Sequence, residues 1–449
     1  MKRGIAFRFF LLPAAAVFLV LFSCASGPDA YVKVDADMQA GSYEAALASV
    51  DNEKAPIRKK VYTSKNEILL YLDRGMIKHF AGQYTDSSLD LETAEILIEQ
   101  AFTKSISQEI GSFILNDNVK DYSGEDYEDL YINVFNSLNY YYNNNLEGAL
   151  VEIRRLNEKL NFLADKYERA KEKVLESNKQ IDASVLPMEA SQFSNSALAR
   201  YLGLLFYRAA GRTDSARIEY EELMRAFELA PVIYAAGVPY SVEEELSVPE
   251  GSGRLNVIAF TGLSPIKSAE HIFIPLPFPP PNNMARISIP ILMSRPQTIT
   301  RAEAVLSTGQ KFPLQLIEDM GAVARETFKL KSGLIVLKTT ARTITKAATS
   351  AVLASAARAS ERDKKKNNEG LGAFVGLMGR IFTEVSEQPD TRLSRYFPGQ
   401  AMVGGINLAS GQYKVTVNYY GNAGLVYSEQ KEIAVNAGTL NLEEFVCLK

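Results

Sequence analysis

The sequence predicts a multidomain chain of two classes in series, an α half followed by an α+β half whose strands form a sheet or sandwich around a helical insertion. Three observations carry this. Residues 31 to about 231 contain few prolines and repeat apolar residues at intervals of three and four. At Val248-Pro-Glu-Gly-Ser-Gly253 the composition changes abruptly. Beyond it lie short β-branched runs bounded by glycine and proline. Charge divides at the same place: Ala25 to Glu250 holds 23 Lys+Arg against 38 Asp+Glu, whereas Gly251 to Lys449 holds 23 against 15. The expected division is 1–23 signal peptide, 24–250 helical domain and 251–449 α+β domain. A linker at 248–253 would let the acidic helical part fold alone.

The first segment reads as a secretory signal. Met1-Lys2-Arg3 and Arg8 supply the basic region, and Phe9 to Phe22 an apolar run too short to span a bilayer comfortably. Its end, Leu21-Phe22-Ser23-Cys24, resembles the bacterial lipobox, in which an aliphatic and a small residue precede a cysteine whose thiol takes diacylglycerol. Cys24 is thus the expected lipidation site, and two or three acyl chains would hold the chain stably on a membrane. Ala25 follows rather than Asp, which by resemblance to the enterobacterial sorting rule favours the outer membrane, facing the periplasm. The second cysteine, Cys447, then has no disulfide partner.

Within the helical half one short phrase recurs: Gly41-Ser-Tyr43-Glu-Ala45-Ala46-Leu47, Gly82-Gln-Tyr84-Thr-Asp-Ser87, Asn144-Asn-Leu146-Glu-Gly148-Ala149-Leu150 and Gly211-Arg-Thr-Asp-Ser215-Ala216. This resembles the centre of a tetratricopeptide repeat, where glycine turns the chain between antiparallel helices and a small residue lets them approach. Gly41, Gly82, Gly211 and Ala216 are therefore expected structural turn positions. The turns are separated by 41, 62 and 67 residues, so the solenoid is degenerate, with insertions at 103–130 and 179–197. Leu146 to Lys179 is a long charged helix with a three-four apolar stripe from Leu150 to Tyr167 that faces the solenoid.

In the second half, strands are expected within 254–306 (RLNVIAF at 254–260, then 269–274, 285–289 and 304–306) and within 401–445 (401–408, 413–420, 425–433 and 439–445). Between them lies a helical insertion of about 315–387. In its stretch from Ser332 to Ala359, Lys338, Arg342 and Lys346 form one cationic stripe; Gly370, Gly372, Gly376 and Gly379 follow on an apolar helix.

Residue types that carry chemistry are sparse. The chain has two histidines, His79 and His271, in different expected domains, and neither GxSxG nor HExxH nor a CxxC pair occurs. No cofactor or metal is expected. Gly262-Leu-Ser264-Pro265-Ile-Lys267 lacks the ending of a phosphate loop. The acidic run Glu125-Asp126 with Glu128-Asp129 reads as a solvated loop, and Tyr122, Tyr127, Tyr131, Phe135 and Tyr140 to Tyr142 read as repeat core. The acidic balance of the helical half argues against nucleic acid.

The lipobox, the degenerate hairpins, Thr261-Gly262-Leu-Ser-Pro265-Ile-Lys267 and Asp390-Thr391-Arg392 together resemble an uncharacterised family of bacterial lipoproteins with degenerate tetratricopeptide-like repeats and a C-terminal β-containing domain. The tryptophan usual after the Asp-Thr-Arg is replaced here by Leu393-Ser394. The resemblance marks Gly262, Pro265, Lys267, Asp390 and Arg392 as family-motif positions and supplies no reaction; Asp390 and Arg392 are expected to pair and tie a turn. The functional expectation is a non-enzymatic, membrane-anchored scaffold of the cell envelope that binds a protein or peptide in its concave face. The alternative is a regulator of peptidoglycan synthesis or other envelope assembly, with a wall-active hydrolase third.

Overall fold

The computed structural model describes residues 27–108, 121–177, 179, 181–275, 284–363 and 389–449. Cys24, residues 364–388 with the glycine-spaced segment 370–379 among them, and the Lys346 side chain lie outside what is described.

One backbone turn is used four times. The pairs are α1 (Gly27–Gln39) with α2 (Tyr43–Asp51), α4 (Glu67–Phe80) with α5 (Tyr84–Gln108), α6 (Asp126–Tyr142) with α7 (Leu146–Ser177), and α8 (Ala197–Ala209) with α9 (Thr213–Leu229); the short α3 (Pro56–Lys60) follows α2, and α10 (Tyr240–Glu243) follows α9. Gly41, Gly82, Asn144 and Gly211 take φ of 73°, 72°, 58° and 68°. The next amide always reaches back five residues: Ser42 to the Asp37 carbonyl, Gln83 to Lys78, Asn145 to Tyr140, Arg212 to Tyr207. This six-to-one bond with a left-handed residue before it is the Schellman closure, which glycine adopts without a Cβ clash. The small residues that follow, Ala46, Ser87, Ala149 and Ala216, are all buried. Gly75 shows the resulting closeness: a Cβ there would come within 2.8 Å of Leu91.

Helices end at Leu246 and strands begin at Gly253. The strands are β1 (Gly253–Leu263), β2 (Ile266–Pro275), β3 (Met284–Met293), β4 (Arg301–Leu306), β5 (Lys311–Asp319), β6 (Pro398–Leu408), β7 (Gly411–Gly421), β8 (Gly424–Val435) and β9 (Leu440–Cys447), with α11 (Met320–Asp363) between β5 and β6. Seven of them make one sheet in the order β8-β7-β4-β5-β6-β1-β9. Every pairing is antiparallel except β1 with β9. The expectation that early and late strands share a sheet holds for β1, β4 and β5. It does not extend to β2 and β3, which form a separate two-stranded hairpin.

The insertion begins at Met320 rather than near 315, because 315–319 belong to β5. That strand escapes a pattern reading because Pro313 interrupts it, and proline usually demotes a strand. The sheet curls: Leu255, Val257 and Ala259 of β1 pack with Leu306, Val415, Val417 and Tyr419 on its inner side. Its ends nearly meet, with the Val446 amide donating to Glu429 Oε2 at 2.9 Å and Lys431 to the Glu444 carbonyl. The other face of β1 turns to the helices, where Phe260 lies 5.1 Å from Phe135 between ring centroids. One hydrophobic core therefore runs from Val34 through Phe135 to Phe260 and Leu442. It crosses the composition change at 248–253 without a break, so the helical part is not packed as an independent body.

The turn geometry predicts an asymmetric pair of substitutions. Gly82→Val and Gly211→Val should each lower stability by about 1–2 kcal/mol, the cost of a β-branched residue in the left-handed region, whereas Asn144→Gly should be neutral or gain up to about 1 kcal/mol. Gly251 in the 248–253 segment, at φ 79°, is under the same constraint. Urea midpoints would measure all three, and equal tolerance at 82, 144 and 211 would contradict the shared turn.

Candidate functional site: a polar junction between helices and sheet

The first helix of each later hairpin carries polar side chains that end on the β-rich half. On α4, Asp73 is buried and accepts from Tyr62 Oη (2.8 Å), Ser394 Oγ (2.7 Å) and the Arg395 amide (2.8 Å). One turn and a half later, His79 stands between Asn139 Oδ1 (2.6 Å from Nδ1) and the Glu444 carboxylate of β9 (3.0 Å from Nε2), ringed by Phe80, Tyr84 and Phe135. On α6, Glu128 accepts from Tyr122 Oη (2.7 Å), the Glu125 amide (2.7 Å) and the Ser394 amide (2.6 Å). At its other end Tyr141 Oη donates to the Leu440 carbonyl at 3.1 Å and accepts from the Leu442 amide at 3.2 Å. On α8, Tyr201 and Arg208 meet Asn256 of β1, and Arg208 also pairs with Glu245.

Glu318 is the most confined of these groups. A register shift between Leu316 and Glu318 in β5 turns this fully buried carboxylate toward the helices. There it receives Tyr131 Oη (2.7 Å), Tyr234 Oη (2.7 Å), Ser196 Oγ (2.9 Å) and the Leu198 amide (3.4 Å). Burial pushes its carboxyl above the ordinary range, and these hydrogen bonds oppose the push. Burial likewise raises Glu128 to about 7, with the neighbouring Glu125 charge adding to it, and Asp73 to about 6.

The two motif segments marked in the sequence come together here. Gly262, at φ 60°, stands where any Cβ would collide with the Gln297 side chain, 1.9 Å away. Ser264 donates its amide to the Phe397 carbonyl at 2.8 Å, and Pro265 lies against the start of α11, 3.7 Å from where a Cβ on Gly321 would stand. Lys267 pairs with Glu125, which Lys331 of α11 also reaches at 2.7 Å. Asp390 and Arg392 form the expected ion pair, at 2.7 Å, and Arg392 extends to Asn66 Oδ1 at 2.8 Å. Burial alone would raise Asp390, but the Arg392 hydrogen bonds and the Lys267 charge hold its carboxyl below the usual range. The acidic run expected as a solvated loop is instead an ion-pair hub: Glu125, Asp126, Glu128 and Asp129 all engage cations or donors, because Lys159, Lys166, Lys267 and Lys331 converge on it.

Tyr122, Tyr127, Tyr131 and Phe135 are buried in the hydrophobic core, with Tyr140 to Tyr142 half-buried against it; Tyr127 and Tyr131 pack on Phe397 at 6.1 and 6.4 Å. His271 is exposed on β2. Arg342 of α11 is buried against Thr339 rather than on a solvated edge. Sequence reasoning missed Asp73, Glu318, Arg395 and Glu444, for which no local motif exists. The available signal was a carboxylate set among apolar strand residues, as in Leu314-Gln-Leu-Ile317-Glu318 and Leu442-Glu-Glu444-Phe445.

Among the described residues no cluster of three His, Cys, Asp or Glu could hold a metal ion, and no helix is long and apolar enough to cross a membrane. The chain matches no protein-family model, no curated protein and no solved structure. Chemically, the junction joins the two halves and uses its charged groups on one another.

A carboxyl raised by folding binds its proton more tightly in the native state, so Glu128 costs nothing below the unfolded value near 4.5 and costs most above about 7. Glu128→Gln should therefore gain stability relative to the parent as pH rises through that window, by on the order of 1–3 kcal/mol. Chemical denaturation of both proteins at pH 4.5, 6 and 7.5 measures it, and a constant difference would remove the assigned shift.

Proposed function

We propose that this chain is a lipid-anchored cell-envelope protein, held through Cys24 and acting as a non-enzymatic scaffold whose helical hairpins form a degenerate tetratricopeptide-like array. The lipobox and the four identical turns support the reading. The partner is a protein or peptide of the envelope, with a component of wall synthesis the alternative to a general assembly partner. One observation refines where it docks. The inner helices α4, α6 and α8 are covered by the chain's own β-rich half, through Glu444, Glu318 and Asn256 of the sheet and Ser394 of the segment before β6. The outer helices α5, α7 and α9 instead expose large apolar side chains, Leu89 (59 %), Ile96 (54 %), Phe162 (68 %) and Ile218 (50 %). Isolated exposed apolars are ordinary, but their presence on each of α5, α7 and α9 suits a partner that contacts more than one of these helices.

Two measurements test this. Cys24→Ser should accumulate as uncleaved precursor that takes up no labelled palmitate; normal processing would end the lipoprotein reading. Crosslinking in cells followed by purification should recover one partner with the parent and lose most of it with Leu89→Asp and Phe162→Asp, while folding is unchanged. Equal recovery with those variants would move the docking face elsewhere, and recovery of no partner would remove the scaffold.

A further inference from the structure

The lipid anchor and the fold are joined by very little chain. From Cys24 to Gly27, where α1 begins, there are three Cα steps, at most about 11 Å even when fully extended. Whatever surrounds the start of α1 is therefore carried to within one headgroup layer of the bilayer if Cys24 is acylated.

That neighbourhood is defined by the first hairpin. Because α2 runs antiparallel to α1, its end returns to the start of α1, as the bond from Lys33 Nζ to Ser49 Oγ at 2.8 Å shows. The chain then makes α3, Pro56-Ile-Arg-Lys-Lys60, and Tyr62 beyond it packs edge-on to Tyr31 at 6.4 Å. So α3 lies at the anchored end of the hairpin, and Gly41 and Ser42 at the other. Lys54, Lys59 and Lys60 are exposed there, with Arg58 half-buried between them. Three acids of α1 and α2 are engaged: Asp35 with Arg395, Asp37 with Lys33, and Asp51 near Arg74 at 3.6 Å; Glu44 lies on α2 beside Ser42, at the far end of the hairpin. Asp29, Glu53 and Glu67 are the remaining acids nearby. This basic end belongs to a helical half that is otherwise strongly acidic.

We propose that the α3 end is the membrane-facing surface of the protein, where Lys54, Lys59 and Lys60 contact anionic phospholipid headgroups and hold the body upright on its anchor. The proposal rests on the lipoprotein reading above. The anchor supplies proximity, and the lysines supply orientation: a free tether permits every tilt, whereas each lysine near an anionic surface favours the facing orientation by about fivefold. The acidic remainder of the helical half is repelled by the same surface, which adds to the preference.

The test uses the full-length acylated protein in vesicles, in a Cys447→Ala background that leaves the engineered thiol alone to be labelled. A nitroxide is placed at Thr63→Cys beside α3 or at Ser42→Cys at the far end, and its relaxation by a nickel-chelating lipid is read. On phosphatidylglycerol vesicles the label at 63 should relax strongly and the label at 42 weakly. Exchanging Lys54, Lys59 and Lys60 for Gln, or using phosphatidylcholine vesicles, should lower the signal at 63 at least about fivefold. Equal relaxation at both sites, or a signal at 63 indifferent to the lysines and to lipid charge, overturns the proposal while leaving the anchor intact. Palmitate labelling of the same preparations separates the cases, since a parent without acyl label would end both readings.

Discussion

The seating of a curled sheet on the inner helices of the hairpins is the constraint on which the rest of the molecule depends. Apolar contact brings the two together, through Phe135, Phe260 and Phe397, but contact of that kind tolerates sliding. The polar junction does not. Glu318 has no cation among its hydrogen-bond partners, and a buried carboxylate left without donors costs several kcal/mol. Its donors come from α6, from the cap of α8 and from the segment after α9, so all three must arrive in register for the strand to sit. Asp73, Glu128 and His79 impose the same demand further along the array. Such groups add little net stability over apolar packing, yet they penalise every misaligned arrangement.

The sheet depends on the helices a second time, through its edge. β9 is parallel to β1 and unpaired on its other side, the situation that invites aggregation. Side chains stand in for the missing strand: Tyr141 of α6 bonds the Leu440 carbonyl and the Leu442 amide, while β8 contributes Lys431 to the Glu444 carbonyl and Glu429 to the Val446 amide. β1 and β9 are also nearly two hundred residues apart in the chain, so the pairing that ends the sheet is strongly non-local. Contacts of such sequence separation make closure of the fold a late event.

Much of the local structure is legible in the sequence, and the reason is local physics. A glycine or asparagine that must be left-handed, followed by a small residue that must be buried, leaves its mark within seven positions, so all four hairpins can be read from the residues. The strands of 254–306 and 401–445 announce themselves as runs of strand-forming residues bounded by glycine and proline. β5 does not, because Pro313 breaks the signal and its last residues run directly into α11. The junction is legible only in part: Asp390 and Arg392 are neighbours in sequence and pair as expected, but Lys267 finds Glu125 across 142 residues and His79 finds Glu444 across 365. Nothing local in a carboxylate distinguishes one destined for solvent from one destined for a sheet, which is why the acidic run at 125–129 reads as a loop and folds as a hub.

The covered inner face also decides where the hairpins could be bound. A peptide laid on the side of α4, α6 and α8 that meets the β-rich half would have to displace that half, stripping Glu318, Glu444 and Ser394 of partners at once. Each uncompensated buried group would cost about 1–3 kcal/mol, more for the charged ones, and the apolar core that runs continuously through Phe135 and Phe260 would open with them. No short peptide offers contacts of that size. The β-rich half therefore acts toward the hairpins as a permanently bound ligand: the sheet covers α4, α6 and α8, and α11 lies along part of α7, where a Cβ on Gly333 would stand 3.3 Å from the Lys171 side chain. The hairpins and the sheet are thus held as one packed body, with no polar seam along which the two halves could open without stripping buried groups of their partners.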